Sequence, residues 1–342
     1  MTGVDYGTQG MDGGTHLSVV ITAFNRKEFW ADAVSSVLPQ VKGRDDIEVI
    51  VLKNFDGEEV DRRLEGQGVR IGFESSPNVG LTLRRAFDLS HGEYVAFLDD
   101  DDLFLPSKIA RFEHVLRRVP GLGYYHNQYE LSIQSRDGLG AWERLTSNRV
   151  RRPSSKADVV SFANMNDQQI VQFLTARNRE QNLSSTIVSR DVGARIRPWL
   201  ESLPVMSDTT MLAAGLLSGK SLVFDQAVET VVRRHDSNHS NKRRHLDVRL
   251  NVMAGLSEAM AKAMAPQAVQ DYWTLRAARE IVYGNLVGAE VSSTATRQAV
   301  RVLAHSYIRQ REQRDLGFIL LGGVGSLFPR LLPLLRPLAA GS

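Results

Sequence analysis

Short apolar runs that alternate with amphipathic helical patterns limit the possible folds of this chain more than any other feature. The runs are rich in β-branched residues, and between them apolar residues recur at helical spacing. They are Leu17–Thr22, Ile47–Leu52, Val69–Phe73 and Tyr94–Leu98. Such alternation predicts βαβ units and a parallel sheet whose strands are buried on both faces. Asn25, with Glu28 three residues later, predicts an N-cap and capping box for the first helix.

The pattern changes after Gly121, where longer polar segments separate the apolar runs. Strands are predicted at Tyr124–Ile133, Trp142–Leu145, Ser184–Val188, Ser221–Phe224 and Glu229–Val232, and helices at Asp208–Leu217, Leu246–Met264, Val269–Gly284 and Thr294–Asp315. The first two of these strands are expected to pair antiparallel. We therefore predict a disordered leader (1–16), an α/β domain (17–240) with halves 17–120 and 121–240, a helical region (241–315) and an apolar tail (316–342).

Composition excludes several kinds of chemistry. The chain has no cysteine, so disulfides, iron–sulfur clusters, thiolate zinc sites and cysteine nucleophiles are ruled out. Lys and Arg number 42 against 39 Asp and Glu, and the net charge of +3 is too small to indicate a nucleic-acid partner. Because residues 1–15 lack the features of a secretory signal and no apolar run reaches about 18 residues, we expect a cytoplasmic protein without a membrane-spanning helix.

Four consecutive carboxylates, Asp99–Asp102, follow the apolar run Tyr94–Leu98. Ligands of open α/β sheets bind at the carboxyl ends of the strands. Four like charges so close together are unfavourable without a positive partner, and Mg²⁺ or Mn²⁺ prefers oxygen ligands of this type. The run therefore predicts a divalent cation site that also faces substrate phosphates. The alternative is a solvated acidic loop.

Three stretches of the sequence stand out together. They are Ser18–Arg26 (SVVITAFNR) with the helix end Ser36–Gln40 (SVLPQ), Asn78–Gly80 (NVG) with Arg84-Arg85 and Gly92–Leu98 (GEYVAFL), and the Asp99–Asp102 run. In this order and at these distances they resemble glycosyltransferase family 2 with the GT-A fold. The resemblance is specific over about residues 17–112 and looser to about 240. It implies an α/β fold with a mainly parallel central sheet, to which the helical C-terminal region is added, and an inverting transferase that uses a nucleotide-diphosphate sugar. Residues 17–120 then form the nucleotide-binding half and 121–240 the acceptor half.

The resemblance also implies roles for individual residues. The donor nucleotide is expected to contact Thr22, Phe24, Asn25, Asn54, Asp56, Arg85, Asp99 and Asp100. Asp101 matches the metal-binding acid of the family's Asp-X-Asp motif. One departure is clear, since Lys53-Asn54 stands where the family often has an acidic pair that contacts the base. Asn54 or Asp56 is able to replace it, because either side chain accepts from a base N–H.

Two later residues complete the predicted site. Asp208 resembles the acid of the family's later Glu-Asp pair and is predicted to be the catalytic base. The alternative is a helix N-cap. His235 lies at the end of a predicted strand, where the resemblance implies a basic residue near the diphosphate or the metal. A neutral imidazole ligates Mn²⁺ and a protonated one neutralises phosphate, whereas the alternative is an incidental histidine on a basic surface loop.

The acceptor is expected to be a carbohydrate or lipid-linked hydroxyl. The tail 316–342 is too interrupted by Pro, Gly and Arg for a membrane span. Two roles stay open for it: packing on the protein or on a second copy as a homo-oligomer, or peripheral contact with the inner face of the membrane. Two other functions also stay open: a nucleotidyltransferase, which would normally have a Gly-rich loop after the first strand, and an inactive scaffold that binds sugar nucleotides or a membrane.

Overall fold

The computed structural model describes residues 16–134, 142–145, 157–160, 182–200, 207–235, 267–287 and 293–310. The residues 1–15 of the predicted leader, the predicted helix Leu246–Met264 and the tail 316–342 lie outside these ranges, so those predictions are not addressed by the structure. His16, the last residue of the predicted leader, is buried, and its N–H donates to the carbonyl of Asp46.

Among the residues just given, the sheet contains ten strands, most of them at the predicted positions. They are β1 (Leu17–Ala23), β2 (Ile47–Lys53), β3 (Val69–Phe73), β4 (Tyr94–Asp99), β5 (Leu103–Phe104), β6 (Leu122–Gln134), β7 (Trp142–Leu145), β8 (Ala157–Val160), β9 (Thr186–Ser189) and β10 (Ser221–Arg234). The described helices are α1 (Trp30–Val41), α2 (Glu58–Glu65), α3 (Val79–Leu89), α4 (Lys108–Leu116), α5 (Arg190–Leu200), α6 (Ser207–Leu217), α7 (Gln267–Val287) and α8 (Ser293–Gln310).

Strand order in the sheet is β3-β2-β1-β4-β9-β6-β10-β5, with β7 paired to β6 and β8 to β10. The first four strands are parallel, as predicted, and β1 lies between β2 and β4. The second half is mixed, since β6 and β10 are parallel but β9, β7, β8 and β5 join antiparallel. Thr22 of β1 lies beside Leu52 of β2 and Asp99 of β4, so the three carboxyl ends meet at one edge.

The core fills both faces of the parallel strands, which explains their unbroken apolar runs. Val20 of β1 packs on one face with Leu83 and Ala86 of α3. Val19 and Ile21 point to the other face, which α1 covers. All three β1 residues are completely buried. A strand covered on both sides has no solvent-facing position for a polar residue.

Two local predictions are wrong. Helix α1 begins at Trp30 without a side-chain cap, and Asn25 has a left-handed backbone (φ 59°) with its amide bonded to Asn54 instead of to a helix terminus. The predicted strands Ser221–Phe224 and Glu229–Val232 form one strand, β10. Shifts of register near Asp225–Thr230 allow the strand to continue through the polar residues between the two predicted segments.

Helices α7 and α8 pack against each other, as the helical pattern of the C-terminal region predicts. Leu275, Ala278 and Val282 of α7 form a buried cluster with Ala299 and Leu303 of α8. Within the part of the chain that the structure describes, no helix is both long and apolar enough to cross a membrane.

Candidate active site

The candidate site lies where the carboxyl ends of β1, β2 and β4 meet. Thr22 Oγ1 donates to Asp99 Oδ1 at 3.3 Å, and the Phe24 N–H donates to Asp100 Oδ2 at 3.2 Å. The loop after β1 is thus bonded directly to the acidic run that follows β4. The structure brings together two stretches that are more than 70 residues apart in the sequence.

The acidic run is buried, not solvated. Asp99 at the end of β4 is partly exposed, whereas Asp100, Asp101 and Asp102 are at most 5% exposed. Asp99, Asp101 and Asp102 each offer a carboxylate oxygen, and these three oxygens lie within 4.8 Å of one another. An all-oxygen donor set of this size fits Mg²⁺ or Mn²⁺. The alternative of a solvated acidic loop is wrong for this chain.

Arg26 is the cation that the structure places among these carboxylates. Its guanidinium forms ion pairs with Asp100 through Nη2 and with Asp101 through Nη1, and its side chain is 15% exposed. Burial lowers the pKa of Arg26, but the charges of Asp100 and Asp101 outweigh it and raise the pKa above its usual value. Arg26 belongs to a matching motif, yet no role was predicted for it.

Even with Arg26 in place, the site is short of positive charge. Burial raises the pKa of Asp99 to about 6 and that of Asp100 to about 7, and the charge of Asp101 adds to both increases. Burial also raises the pKa of Asp102 well above its usual value. When burial and neighbouring carboxyl groups raise the pKa of a carboxyl group, a nearby cation stabilises its ionised form. The electrostatics therefore favour the binding of a positive ion at this edge of the sheet.

The end of β10 forms another wall of the site. His235 is buried, its Nε2 lies 3.1 Å from Asp101 Oδ2, and its ring packs against Phe29 with the centroids 4.6 Å apart. The N–H of Arg233 donates to Asp102 Oδ1 at 3.1 Å, its Nε donates to the Asp101 carbonyl, and its Nη1 pairs with Asp32 at 2.9 Å. His235 is thus no incidental surface histidine. Arg233 anchors β10 to the acidic run.

The first two strand ends are joined by an amide pair. The Asn25 N–H donates to Asn54 Oδ1, and Asn54 Nδ2 donates to Asn25 Oδ1, both at 2.8 Å. Lys53 turns away from this pair: its Nζ bonds both Asp61 oxygens, at 2.5 and 2.7 Å, and lies 5.2 Å from the Trp30 ring centroid. Lys53 therefore has a structural role.

The remaining predicted residues lie at varied positions. Asp208 is in the first turn of α6, is partly buried, and accepts the Thr209 N–H at 2.7 Å through Oδ1. Its negative charge is among the causes that raise the pKa of Asp99, after burial and Asp101, which places it within electrostatic reach of the acidic run. Arg85 on α3 and Asp56 after β2 are both exposed.

Comparison with known proteins agrees with this geometry. Residues 18–133 match the family model described as glycosyl transferase family 2. The chain is 28% identical over 117 residues to an uncharacterized glycosyltransferase of Nostoc sp. (strain PCC 7120), which covers 32% of this chain and 36% of that protein. It is 32% identical over 97 residues to an uncharacterized glycosyltransferase of Rickettsia bellii, which covers 27% of this chain and 14% of that protein. These matches therefore span only a minor part of either relative.

The likeness in three dimensions extends over most of the chain. The crystal structure of S. aureus TarS 1-349 in complex with UDP-GlcNAc superposes with a TM-score of 0.62 at 12% identity, covering 91% of each chain. At that identity the likeness establishes the fold, and it confirms the predicted GT-A fold. Residues 18–133, which contain both the acidic run and the β1 loop that faces it, are therefore the part of this chain that is similar to glycosyl transferase family 2.

Proposed function

We propose that the protein transfers a sugar from a nucleotide-diphosphate sugar to an acceptor hydroxyl, with the help of Mn²⁺ or Mg²⁺. The observation that carries this proposal is the buried carboxylate cluster Asp99, Asp101 and Asp102 at the edge of a family 2 domain. A buried group of acids is costly, so its retention beside the β1 loop is best explained by a charged ligand.

The cation would be held by Asp101, with Asp99 and Asp102 as the other nearby oxygens. When bound, it supplies a positive charge that stabilises the departing diphosphate. His235 is within hydrogen-bond distance of Asp101, so it either orients that carboxylate or joins the ligand set. Arg26 supplies a second positive charge at the same carboxylate.

The donor nucleotide would lie across the ends of β1 and β2. The complex of TarS 1-349 with UDP-GlcNAc, a protein of the same fold, supports a nucleotide-sugar donor. Asn25 and Asn54 present amide groups there, which both donate and accept hydrogen bonds and so suit the edge of a base. Asp56 and Arg85, both exposed, are the further candidates for donor contacts, with Arg85 directed to phosphate by its charge.

Asp208 would remove the proton from the attacking acceptor hydroxyl. The acceptor oxygen then forms a bond to the anomeric carbon while the bond to the diphosphate oxygen breaks, which inverts the anomeric configuration. A positioned base typically contributes about 10²–10⁴-fold. Its electrostatic interaction with Asp99 is consistent with a position near the donor. The acceptor is proposed to be a carbohydrate or lipid-linked hydroxyl.

The decisive experiment measures nucleoside diphosphate release from a panel of nucleotide sugars, with Mn²⁺ and with a mixed acceptor pool. Asp101→Asn should abolish the Mn²⁺-dependent rate. Asp208→Asn should retain donor binding and lose about 10²-fold or more in transfer. Glu59→Gln, on the exposed face of α2, is the matched acid-to-amide control and should behave as wild type.

The outcomes separate the competing functions. Release of pyrophosphate in place of nucleoside diphosphate would indicate a nucleotidyltransferase. Binding of nucleotide sugar without any turnover, including hydrolysis, would indicate an inactive scaffold. Near-full transfer by Asp208→Asn would show that another group is the base, and it would leave the metal site unaffected.

A further inference from the structure

A completely buried serine, Ser184, links the backbone of Asp99 to the carboxylate of Asp102, two of the three aspartates of the proposed cation site. It lies in a 3₁₀ turn (Leu183–Ser185) just before β9, some 80 residues after the acidic run. Its Oγ accepts the Asp99 N–H at 3.0 Å and donates to Asp102 Oδ2 at 2.6 Å. One hydroxyl thereby fixes the backbone at one end of the run and a side chain at the other.

The backbone of Ser184 is itself anchored by a buried polar network. Its carbonyl accepts from Lys108 Nζ at 3.0 Å and from Thr230 Oγ1 at 3.3 Å. Lys108 also donates to Asn127 Oδ1 and to Thr230 Oγ1, so its three N–H groups all have acceptors. Asn127 Nδ2 donates to Thr230 Oγ1 at 3.0 Å. A fully satisfied buried network is rigid, because losing one member leaves the others unpaired.

We propose that Ser184 is a positioning residue that holds Asp99 and Asp102 in the arrangement that a divalent cation requires. The proposal rests on the proposed function for the cation itself. Ligand-orienting hydrogen bonds of this type usually contribute about 10–100-fold to metal affinity. Lys108, Asn127 and Thr230 fix the turn that carries Ser184, and they connect α4, β6 and β10 to the site.

The neighbouring serine provides a matched control. Ser185 is also completely buried in the same turn, but its Oγ has no hydrogen-bond partner among the residues that the structure describes. Ser184→Ala removes the two bonds to the acidic run, whereas Ser185→Ala removes a hydroxyl of equal size and burial without breaking any bond to the described residues. A general effect of deleting a buried hydroxyl would appear in both variants.

Two measurements on the full chain test the proposal. Hydrogen exchange of a peptide covering Asp99 should become faster in Ser184→Ala and stay unchanged in Ser185→Ala. The affinity for Mn²⁺ alone, followed through the EPR signal of the free ion, should fall about 10–100-fold in Ser184→Ala and less than about twofold in Ser185→Ala. If Ser184→Ala does not fold, Ser184→Cys keeps a weaker donor in place and should lose part of the Mn²⁺ affinity.

The results distinguish failure of this inference from failure of the proposed function. If the wild type binds Mn²⁺ and the two alanine variants bind it with equal affinity, the positioning role alone is overturned. Unchanged hydrogen exchange at Asp99 in Ser184→Ala would overturn it as well. Absence of Mn²⁺ binding by the wild type would overturn both this inference and the proposed cation site.

Discussion

Replacing Arg26 with Met tests how the acidic run is stabilised in the absence of a ligand. Met has a similar length but no charge, so the variant leaves Asp100 and Asp101 without the guanidinium that pairs with both. Hydrogen bonds to charged groups contribute about 1.5–3 kcal/mol each, and breaking one side of a buried ion pair costs about 3–5 kcal/mol. We expect the variant to lose about 3–4 kcal/mol in unfolding free energy at about pH 8.

The loss should depend on pH in a defined direction. The pKa of Asp100 is raised to about 7 in the folded protein from 3.8, so the folded state retains a proton that the unfolded state releases, and stability falls as pH rises through this window. At about pH 6, Asp100 is already mostly neutral and gains less from Arg26. Without the guanidinium, the variant keeps the proton on Asp100. At about pH 8, one unit above the wild-type pKa, keeping that proton costs about 1.4 kcal/mol. The destabilisation by Arg26→Met should therefore be about 1.4 kcal/mol smaller at pH 6 than at pH 8.

Urea unfolding at the two pH values measures both quantities. Arg44→Met is the control, because Arg44 pairs with Asp46 and Glu113 at the surface and its side chain is 34% exposed. We expect the control to lose less than about 1 kcal/mol, with little difference between the two pH values. A loss for Arg26→Met that is independent of pH, or no greater than that of the control, would refute the charge-balance argument.

Two further substitutions test packing and the departure at the end of β2. Gly193→Ala places a methyl group 2.3 Å from the Phe87 ring, so urea unfolding should show a loss of about 1–3 kcal/mol. Gly66→Ala is the control, because Gly66 has a helical φ (−62°) and its added methyl group would have no contact under 3.4 Å. It should change the unfolding free energy by less than about 1 kcal/mol. Lys53→Met should destabilise by about 1–3 kcal/mol because it leaves the partly exposed Asp61 without its partner, yet the KM for the donor should change little. A large rise in KM with normal stability would contradict the structural role of Lys53.

The strands of the parallel half could be predicted because a strand that is buried on both faces has apolar residues at consecutive positions. β1 to β4 follow the apolar runs within one residue at each end. The position of Asp99–Asp102 at the strand ends follows directly from those runs. Local sequence carries this information because a strand that is covered on both faces is apolar at consecutive positions, whichever helices cover it.

Helix α5 shows why other elements escaped prediction. It contains Gly193, which lowers helix propensity, and its last turn contains Pro198. The glycine is explained by packing, because Phe87 of α3 lies directly against its Cα and leaves no room for a side chain. A tertiary contact, and not helix propensity, therefore determines this residue. Sequence patterns cannot show this, since the reason for the residue lies about 100 positions away.

The same limit applies to the site. Ser184 and Arg233 contact the acidic run only because β9 and β10 join the sheet, and no spacing rule connects them with Asp99–Asp102. Arg26 differs, because it lies beside Asn25 in a motif that was already matched. A basic residue in a loop expected to face four carboxylates could have been assigned as their partner from charge alone.

The position of Lys53 also bears on whether the protein is active. The lysine stands where the resemblance leads one to expect an acid, and that departure is a reason to consider an inactive scaffold. In the structure Lys53 is buried against Trp30 and paired with Asp61, so its identity is explained by packing below the site. The next residue, Asn54, faces the β1 loop and pairs with Asn25. Polar groups are therefore still present at the end of β2, although the acid is missing. The departure affects which base the proposed donor would carry, and it does not indicate loss of activity.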